Sequence, residues 1–214
     1  IRSETDSNKP AGMTLPDSIR SHSEPPPEEH VIERLRRTGR IARARWCPSP
    51  NFGPRPDGAC ISPLVVHNIS LPPGQFGGDA IERFFCNCLD ASEHPYFETI
   101  AGMQVSAHAL IRRDGSVIQF VSLLDRAWHA GRSSFRGEQE CNDFSIGIEL
   151  EGTDDIPYTD EQYQSLADVS VCVMAAWPEI RRDRITGHCD IAPGRKTDPG
   201  PAFDWNRYQQ QLLS

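Results

Sequence analysis

Residues 144–152 alternate strictly: Phe144, Ile146, Ile148 and Leu150 fall on one face of an extended segment, and Ser145, Gly147, Glu149 and Glu151 on the other. A glycine beside a carboxylate leaves room for a ligand on that second face, and the open alternative is a solvated face of an antiparallel strand. Leu64–Ile69 is instead continuously apolar and β-branched, bounded by Pro63 and by Pro72-Pro73, the pattern of a strand buried on both faces. Residues 106–112 and 117–121 flank Arg113-Asp114-Gly115-Ser116, where Asp-Gly between two runs predicts a tight hairpin. Helical spacing appears over residues 79–89. It returns in a long stretch after the capping box Thr159-Asp160-Glu161-Gln162, where Tyr163, Leu166, Ala167, Ser170, Met174 and Trp177 form one stripe that ends before Pro178. Asp204 is the expected cap of a last helix running through Leu213. Strands interleaved with helices, plus one hairpin, predict an α/β fold: a single domain with a mixed central β-sheet flanked by helices.

The N-terminal part lacks this patterning. Residues 1–27 are rich in Ser, Pro, Asp and Glu, and a short helix over 28–37, with Val31 and Leu35 on one side, is the one element expected there. The expected division is therefore an N-terminal tail over 1–38 and one folded domain over 39–214. The net charge of -8 speaks against a nucleic-acid or anionic-membrane partner, either of which would want a basic face. No apolar run reaches the roughly 18 residues of a membrane span, and no leader-like segment is visible. Seven cysteines, an odd number with only Cys86 and Cys88 close together, fit reduced thiols in a cytoplasm better than a disulfide scaffold. The expectation is a soluble cytoplasmic monomer.

The chemistry concentrates in residues 187–200. Within eleven of them lie His188, Lys196 and Asp198, in a run with two Pro and three Gly that is expected to be loop. His67 ends the buried strand and Glu149 sits on the open face of the alternating one. Two imidazoles and a carboxylate are a common ligand set for catalytic zinc, but no compact H-E-x-x-H motif is present, and spacing alone leaves a core imidazole and a solvated turn as open readings.

Four runs carry a resemblance. Leu64-Val65-Val66-His67-Asn68-Ile69-Ser70-Leu71-Pro72-Pro73-Gly74, Arg126-Ala127-Trp128-His129-Ala130-Gly131, residues 142–154 and residues 187–200 closely resemble the AmpD-type N-acetylmuramoyl-L-alanine amidases. This zinc amidase family shares its fold with peptidoglycan-recognition proteins and T7 lysozyme. The likeness runs from about residue 39 to 213, with motifs in family order. It implies one zinc ion held by His67, His188 and Asp198, with Glu149 and Lys196 as the catalytic pair: Glu149 to move the proton, Lys196 to meet the developing oxyanion. It implies substrate contacts at Asn68, Tyr96, Trp128 and His129. The substrate it implies is a small 1,6-anhydro-muropeptide, cut between the lactyl group of N-acetylmuramic acid and L-alanine, in cell-wall recycling that restrains β-lactamase induction.

Two rival functions remain on the same fold. A non-catalytic peptidoglycan-recognition module typically lacks metal ligands, and this chain has all three; an exported amidase acting on intact wall is opposed by the thiols and by the absence of a visible leader. One departure from the family pattern concerns specificity. Gln104 and Glu140 stand where arginine is expected to meet the carboxylates of the peptide stem, leaving Arg112, Arg132, Arg136 or Arg195 to substitute. The proline-rich loops 48–63 and 72–78 are expected to wall the pocket.

Overall fold

The computed structural model describes residues 27–213, so the tail expected over residues 1–26 lies outside the described residues. In chain order the elements are α1 (Glu29–Thr38), β1 (Arg45–Trp46), β2 (Phe52–Gly53), β3 (Leu64–Ile69), α2 (Ala80–Phe85), α3 (Pro95–Thr99), β4 (Ala109–Ile111), β5 (Val117–Gln119), β6 (Arg126–Ala127), β7 (Ser134–Phe135) and β8 (Glu138–Gln139). There follow β9 (Ile146–Glu151), α4 (Asp160–Ala176), β10 (Ile185–Gly187), α5 (His188–Ile191) and α6 (Trp205–Gln211).

The main sheet has six strands in the order β1-β5-β4-β9-β3-β10. All its pairings are parallel except β4 with β5, the hairpin that Asp114-Gly115 predicts, where Gly115 turns the chain at φ +83°. The continuous run of β3 is explained by its place between β9 and β10, where Leu64, Val65 and Val66 are fully buried. One sheet face, formed by Leu64, Val66, Ile146, Ile148 and Leu150 with Ala109 and Ile111, makes the main core with α1, α4 and α6. On the other face, Leu110 and Ile118 pack with Phe84, Phe85 and Phe97 of α2 and α3, and Val65 packs with Ala130, Cys141, Phe144 and Ile191. Between those two apolar patches the face is polar, and the site lies there.

The predicted helix α4 has its capping box: Thr159 Oγ1 accepts from the Gln162 N–H at 3.1 Å, and Gln162 Oε1 accepts from the Thr159 N–H at 3.1 Å. Asp204 accepts from the Arg207 N–H at 2.9 Å and starts α6.

Three expectations change. The helix α1 falls in the stretch read as tail, yet Ile32 and Leu35 are buried in the main core, and Arg36 donates to the carbonyls of Ala175 (2.7 Å) and Ala176 (3.0 Å) at the end of α4. Its apolar stripe is short, so composition alone missed its docking. Residues 187–200 are not all loop, because Gly187 ends β10 and His188–Ile191 makes a helical turn, started by the Asp190 carboxylate accepting from the Gly187 N–H at 2.9 Å. Pro193 and Gly194 lie beyond that turn and so do not break it. Phe144 leaves the alternation, packing with Val65 and Ile191 because it precedes β9 at the end of a 3-10 turn.

Candidate metal centre and active site

Register brings the candidate residues together. His67 in β3 is paired with Glu149 in β9, and parallel neighbours in register project to the same side of the sheet. Gly187 is paired with Val66, so the chain leaving β10 delivers His188 beside His67. The site thus forms at the carboxyl ends of three adjacent parallel strands, where open α/β sheets commonly bind ligands.

His67 Nδ1 lies 3.0 Å from His188 Nδ1, and Asp198 Oδ2 lies 3.2 Å from each of these nitrogens. The three atoms make a nearly equilateral triangle, the one group of potential metal ligands found among the described residues. Four-coordinate zinc with bonds of about 2.0–2.1 Å spaces its ligands by about 3.3 Å, so the donor set fits that ion in both chemistry and spacing.

The neighbours orient these donors. His188 Nε2 can only donate to the Ala130 carbonyl, 3.2 Å away, which leaves the lone pair of Nδ1 inside the triangle. His67 Nε2 meets His129 Nδ1 at 2.8 Å, and His129 Nε2 meets Ser145 Oγ at 2.9 Å. A proton on His67 Nε2 and another on His129 Nε2 satisfy that chain and free His67 Nδ1 in turn. Burial keeps His67 neutral, lowering its pKa to about 4 against the pull of Asp198. Asp198 is partly buried, which would raise its pKa, yet its contacts with His188 and His67 hold it ionised far below the ordinary carboxylate range. A cation that displaces the protons shared in the triangle would leave each donor a lone pair to offer.

Asp198 is positioned through its surroundings. Asn68 donates to Asp154 (2.8 Å), to the Tyr158 hydroxyl (3.0 Å) and to the Pro199 carbonyl (3.1 Å), and Tyr158 also donates to Pro199 at 2.7 Å. At Gly200, φ is +77° and a Cβ would lie 2.3 Å from Asp154, so only glycine lets the two segments close.

Glu149 is 8% exposed, and its Oε2 has no hydrogen-bond partner. Burial first, and then the charge of Asp198, raise its pKa well above the usual value, with Lys196 opposing. A buried carboxyl with an unsatisfied oxygen is costly as an isolated arrangement, and a positive charge held by the neighbouring triangle would offset that cost. Lys196 is exposed on the loop after α5.

A profile of the family described as N-acetylmuramoyl-L-alanine amidase matches residues 58–201. The chain belongs to that amidase family. It is 57% identical over 171 residues to the 1,6-anhydro-N-acetylmuramyl-L-alanine amidase AmpD of Salmonella typhimurium (strain SL1344), a match covering 80% of this chain and 91% of that relative. The crystal structure of a selenomethionine AmpD derivative matches with a TM-score of 0.79 and 56% identity, over 81% of this chain and 97% of that one. The Escherichia coli amidase AmiD, in complex with anhydro-N-acetylmuramic acid-L-Ala-D-gamma-Glu-L-Lys, matches with a TM-score of 0.52 and 30% identity, over 73% and 60%. The chain is accordingly an amidase, as its resemblance implies.

Several residues of this amidase sit differently from expectation. His129 does not stand open to a ligand: it is buried behind His67. The space at Gly147 is filled by that ring, since a Cβ there would lie 2.4 Å from it, so the glycine serves the imidazole. The face of β9 bearing Ser145, Gly147, Glu149 and Glu151 is buried throughout, which removes the solvated alternative. Glu151 is held by Arg112 at 2.7 Å, away from the triangle. Asn68 spends its amide N–H groups on Asp154, the Tyr158 hydroxyl and the Pro199 carbonyl. Trp128 is half-buried, and Tyr96 is 38% exposed on α3. Sequence reasoning missed Ser145 and the Ala130 carbonyl, although the alternation already put Ser145 on the face of Glu149.

Of the four arginines considered for the peptide stem, Arg112 is held by Glu82 and Glu151, Arg136 by Asp183, and Arg195 by the carbonyls of Ala130 and Arg132. Arg132 has no side-chain partner among the described residues. It lines a cavity of about 250 Å³ with Glu140, Gln139, Ala192 and Arg195, next to the loop carrying Asp198. Loop 48–63 is tied down instead of walling this cavity: Ser49 and Asn51 bond to the end of α2, and Arg55 donates to the carbonyls of Leu123 and Ser145.

Proposed function

We propose that this amidase binds one zinc ion through His67, His188 and Asp198 and hydrolyses the amide between the lactyl group of anhydro-N-acetylmuramic acid and L-alanine in soluble muropeptides, in cell-wall recycling in the cytoplasm. The observation that carries this reading is the triangle of two imidazoles and one carboxylate, with an unpaired buried carboxyl from Glu149 beside it. The anhydro-muropeptide bound by AmiD and the names of the AmpD relatives support the substrate class.

When bound, zinc would supply a Lewis acid that activates water at neutral pH. The chain's own residues do the rest. The Glu149 carboxyl has an Oε2 free of other partners, so it can take a proton during attack and return it to the departing L-alanine nitrogen. Nearby positive charge favours its ionised form, which a base requires, and Lys196 provides some of that charge. The Lys196 ammonium also offers a fixed cation for the oxygen on which negative charge develops. His129 and Ser145 hold the His67 ring, and the Ala130 carbonyl holds His188. Asn68, placed as a buttress of the metal loop, affects Asp198 before it affects substrate. The pocket contacts at Tyr96 and Trp128 are part of the same proposal, and Arg132 is the free cation suited to a stem carboxylate.

The test is elemental analysis alongside turnover. Purified protein should carry one zinc per chain, lose activity on chelation and regain it with added zinc, and His188→Ala should lose metal and activity together. Full turnover by protein verified to be metal-free would end the proposal.

A further inference from the structure

Two thiols outside the metal centre lie in contact. Cys47 follows β1, Cys86 closes α2, and their Sγ atoms are 3.8 Å apart. The backbone around them is fixed. Cys47 N–H donates to the Gln119 carbonyl at 2.9 Å and Ser49 N–H to that of Phe120 at 3.0 Å. Ser49 Oγ donates to the Phe85 carbonyl at 2.5 Å, and the Cys86 thiol points to the Pro48 carbonyl at 3.5 Å. Segment 47–51 and the end of α2 are thus one laced unit, and the sulfurs face each other within it.

The two sulfurs are chemically unequal. Arg45, two residues before Cys47 and on the same side of the extended chain, is drawn first to Glu82 at 2.7 Å and also to the Cys47 sulfur. Cys47 is half-buried, with that guanidinium beside it. Cys86 is the opposite case: burial first, then its contact with Cys47, push its thiol up to about 12, so it stays protonated.

We propose that Cys47 and Cys86 are a reversible oxidation site, in which a hydroperoxide oxidises Cys47 and Cys86 resolves the product to a disulfide. The Cys47 thiolate attacks one oxygen of hydrogen peroxide, the O–O bond breaks, and hydroxide leaves to be protonated to water. The product is the Cys47 sulfenic acid. The Cys86 sulfur then attacks the sulfenic sulfur, its proton passes to the departing oxygen, and a second water leaves. Two thiols lose two electrons in all, and one peroxide takes them up. The bond would join the 47–51 segment covalently to α2. Asn51 of that segment accepts from Ser106 Oγ at 2.6 Å, and Ser106 Oγ in turn accepts from the Trp128 N–H at 3.0 Å, so the clamp reaches the wall bearing Trp128.

The full chain, treated with stoichiometric hydrogen peroxide, alkylated without reductant and mapped by mass spectrometry, should yield a Cys47–Cys86 linked peptide that dithiothreitol reverses. The oxidised protein should melt about 4 °C or more above the reduced one, as expected of a cross-link between distant segments. Cys86→Ser should accumulate a dimedone adduct at Cys47, Arg45→Gln should slow its formation severalfold, and Cys88→Ser should leave the linkage intact. Oxidation appearing first at exposed Cys60 or Cys88, or a dimedone adduct of Cys86→Ser found elsewhere than at Cys47, would overturn the proposal.

Discussion

Glu149 and His108 are both buried ionisable groups on the polar side of the sheet, and they are kept neutral for different ends. Glu149 lacks a partner for Oε2 and waits on a cation; His108 is fully satisfied, its Nδ1 accepting from the Gly147 N–H at 3.0 Å and its Nε2 donating to the Asp125 carbonyl at 2.9 Å. Glu149→Gln should therefore keep zinc while losing roughly two to four orders of magnitude in turnover, the range for a general base. Parent-like turnover of this variant, with zinc verified, would assign the proton transfer elsewhere. His108 makes a prediction about stability. Burial first, then the Arg55 charge, lower its pKa from 6.5 to about 3, and His67 is lowered to about 4. A depressed folded value means that the unfolded chain binds more protons in between. The stabilisation is present above pH 6.5 and is lost as pH falls toward those values. Thermal melts of metal-free protein should show Tm falling from pH 6.5 to 5, before most carboxylates titrate, and a flat profile over that window would contradict the burial of neutral imidazoles.

At the scale of elements, the main strands and the long helix were legible because each is set by local periodicity. β9 follows from the alternation of Ile146, Ile148 and Leu150, and α4 from its capping box and stripe. What the pattern left out comes from contacts between distant segments. That Gly147 makes room for His129, that Asn68 buttresses Asp198, and that α1 docks on α4 are facts of tertiary approach, invisible to a period of two or 3.6 residues. The candidate metal ligands were legible through family motifs and not through spacing, since residues 67, 188 and 198 meet only when β3 and β10 pair. α1 gives this scale its prediction. Arg36 makes two charge-assisted bonds to the last carbonyls of α4, so Arg36→Ala should cost about 1–2 kcal/mol and lower Tm by about 2–8 °C without changing zinc content. An unchanged melt would make α1 an ornament on the domain instead of a part of its core.

The whole molecule joins a six-stranded sheet, whose strands β3 and β9 carry His67 and Glu149, to a loop that supplies Asp198 and Lys196. No described helix is long and apolar enough to cross a membrane, and the net charge of -8 gives no general attraction to anionic wall polymer. Next to the loop carrying Asp198 is a cavity of about 250 Å³ lined by Arg132, whose side chain has no partner among the described residues. The measurement that tests the central claim is digestion of purified anhydro-muropeptides beside intact sacculi by the zinc-loaded protein, with the products identified. The proposed function predicts anhydro-N-acetylmuramic acid and a free stem peptide beginning with L-alanine, formed at least about a hundredfold faster from the soluble substrate, a difference of about 2.7 kcal/mol in transition-state binding. Equal rates on sacculi, or cleavage at any other bond, would contradict it.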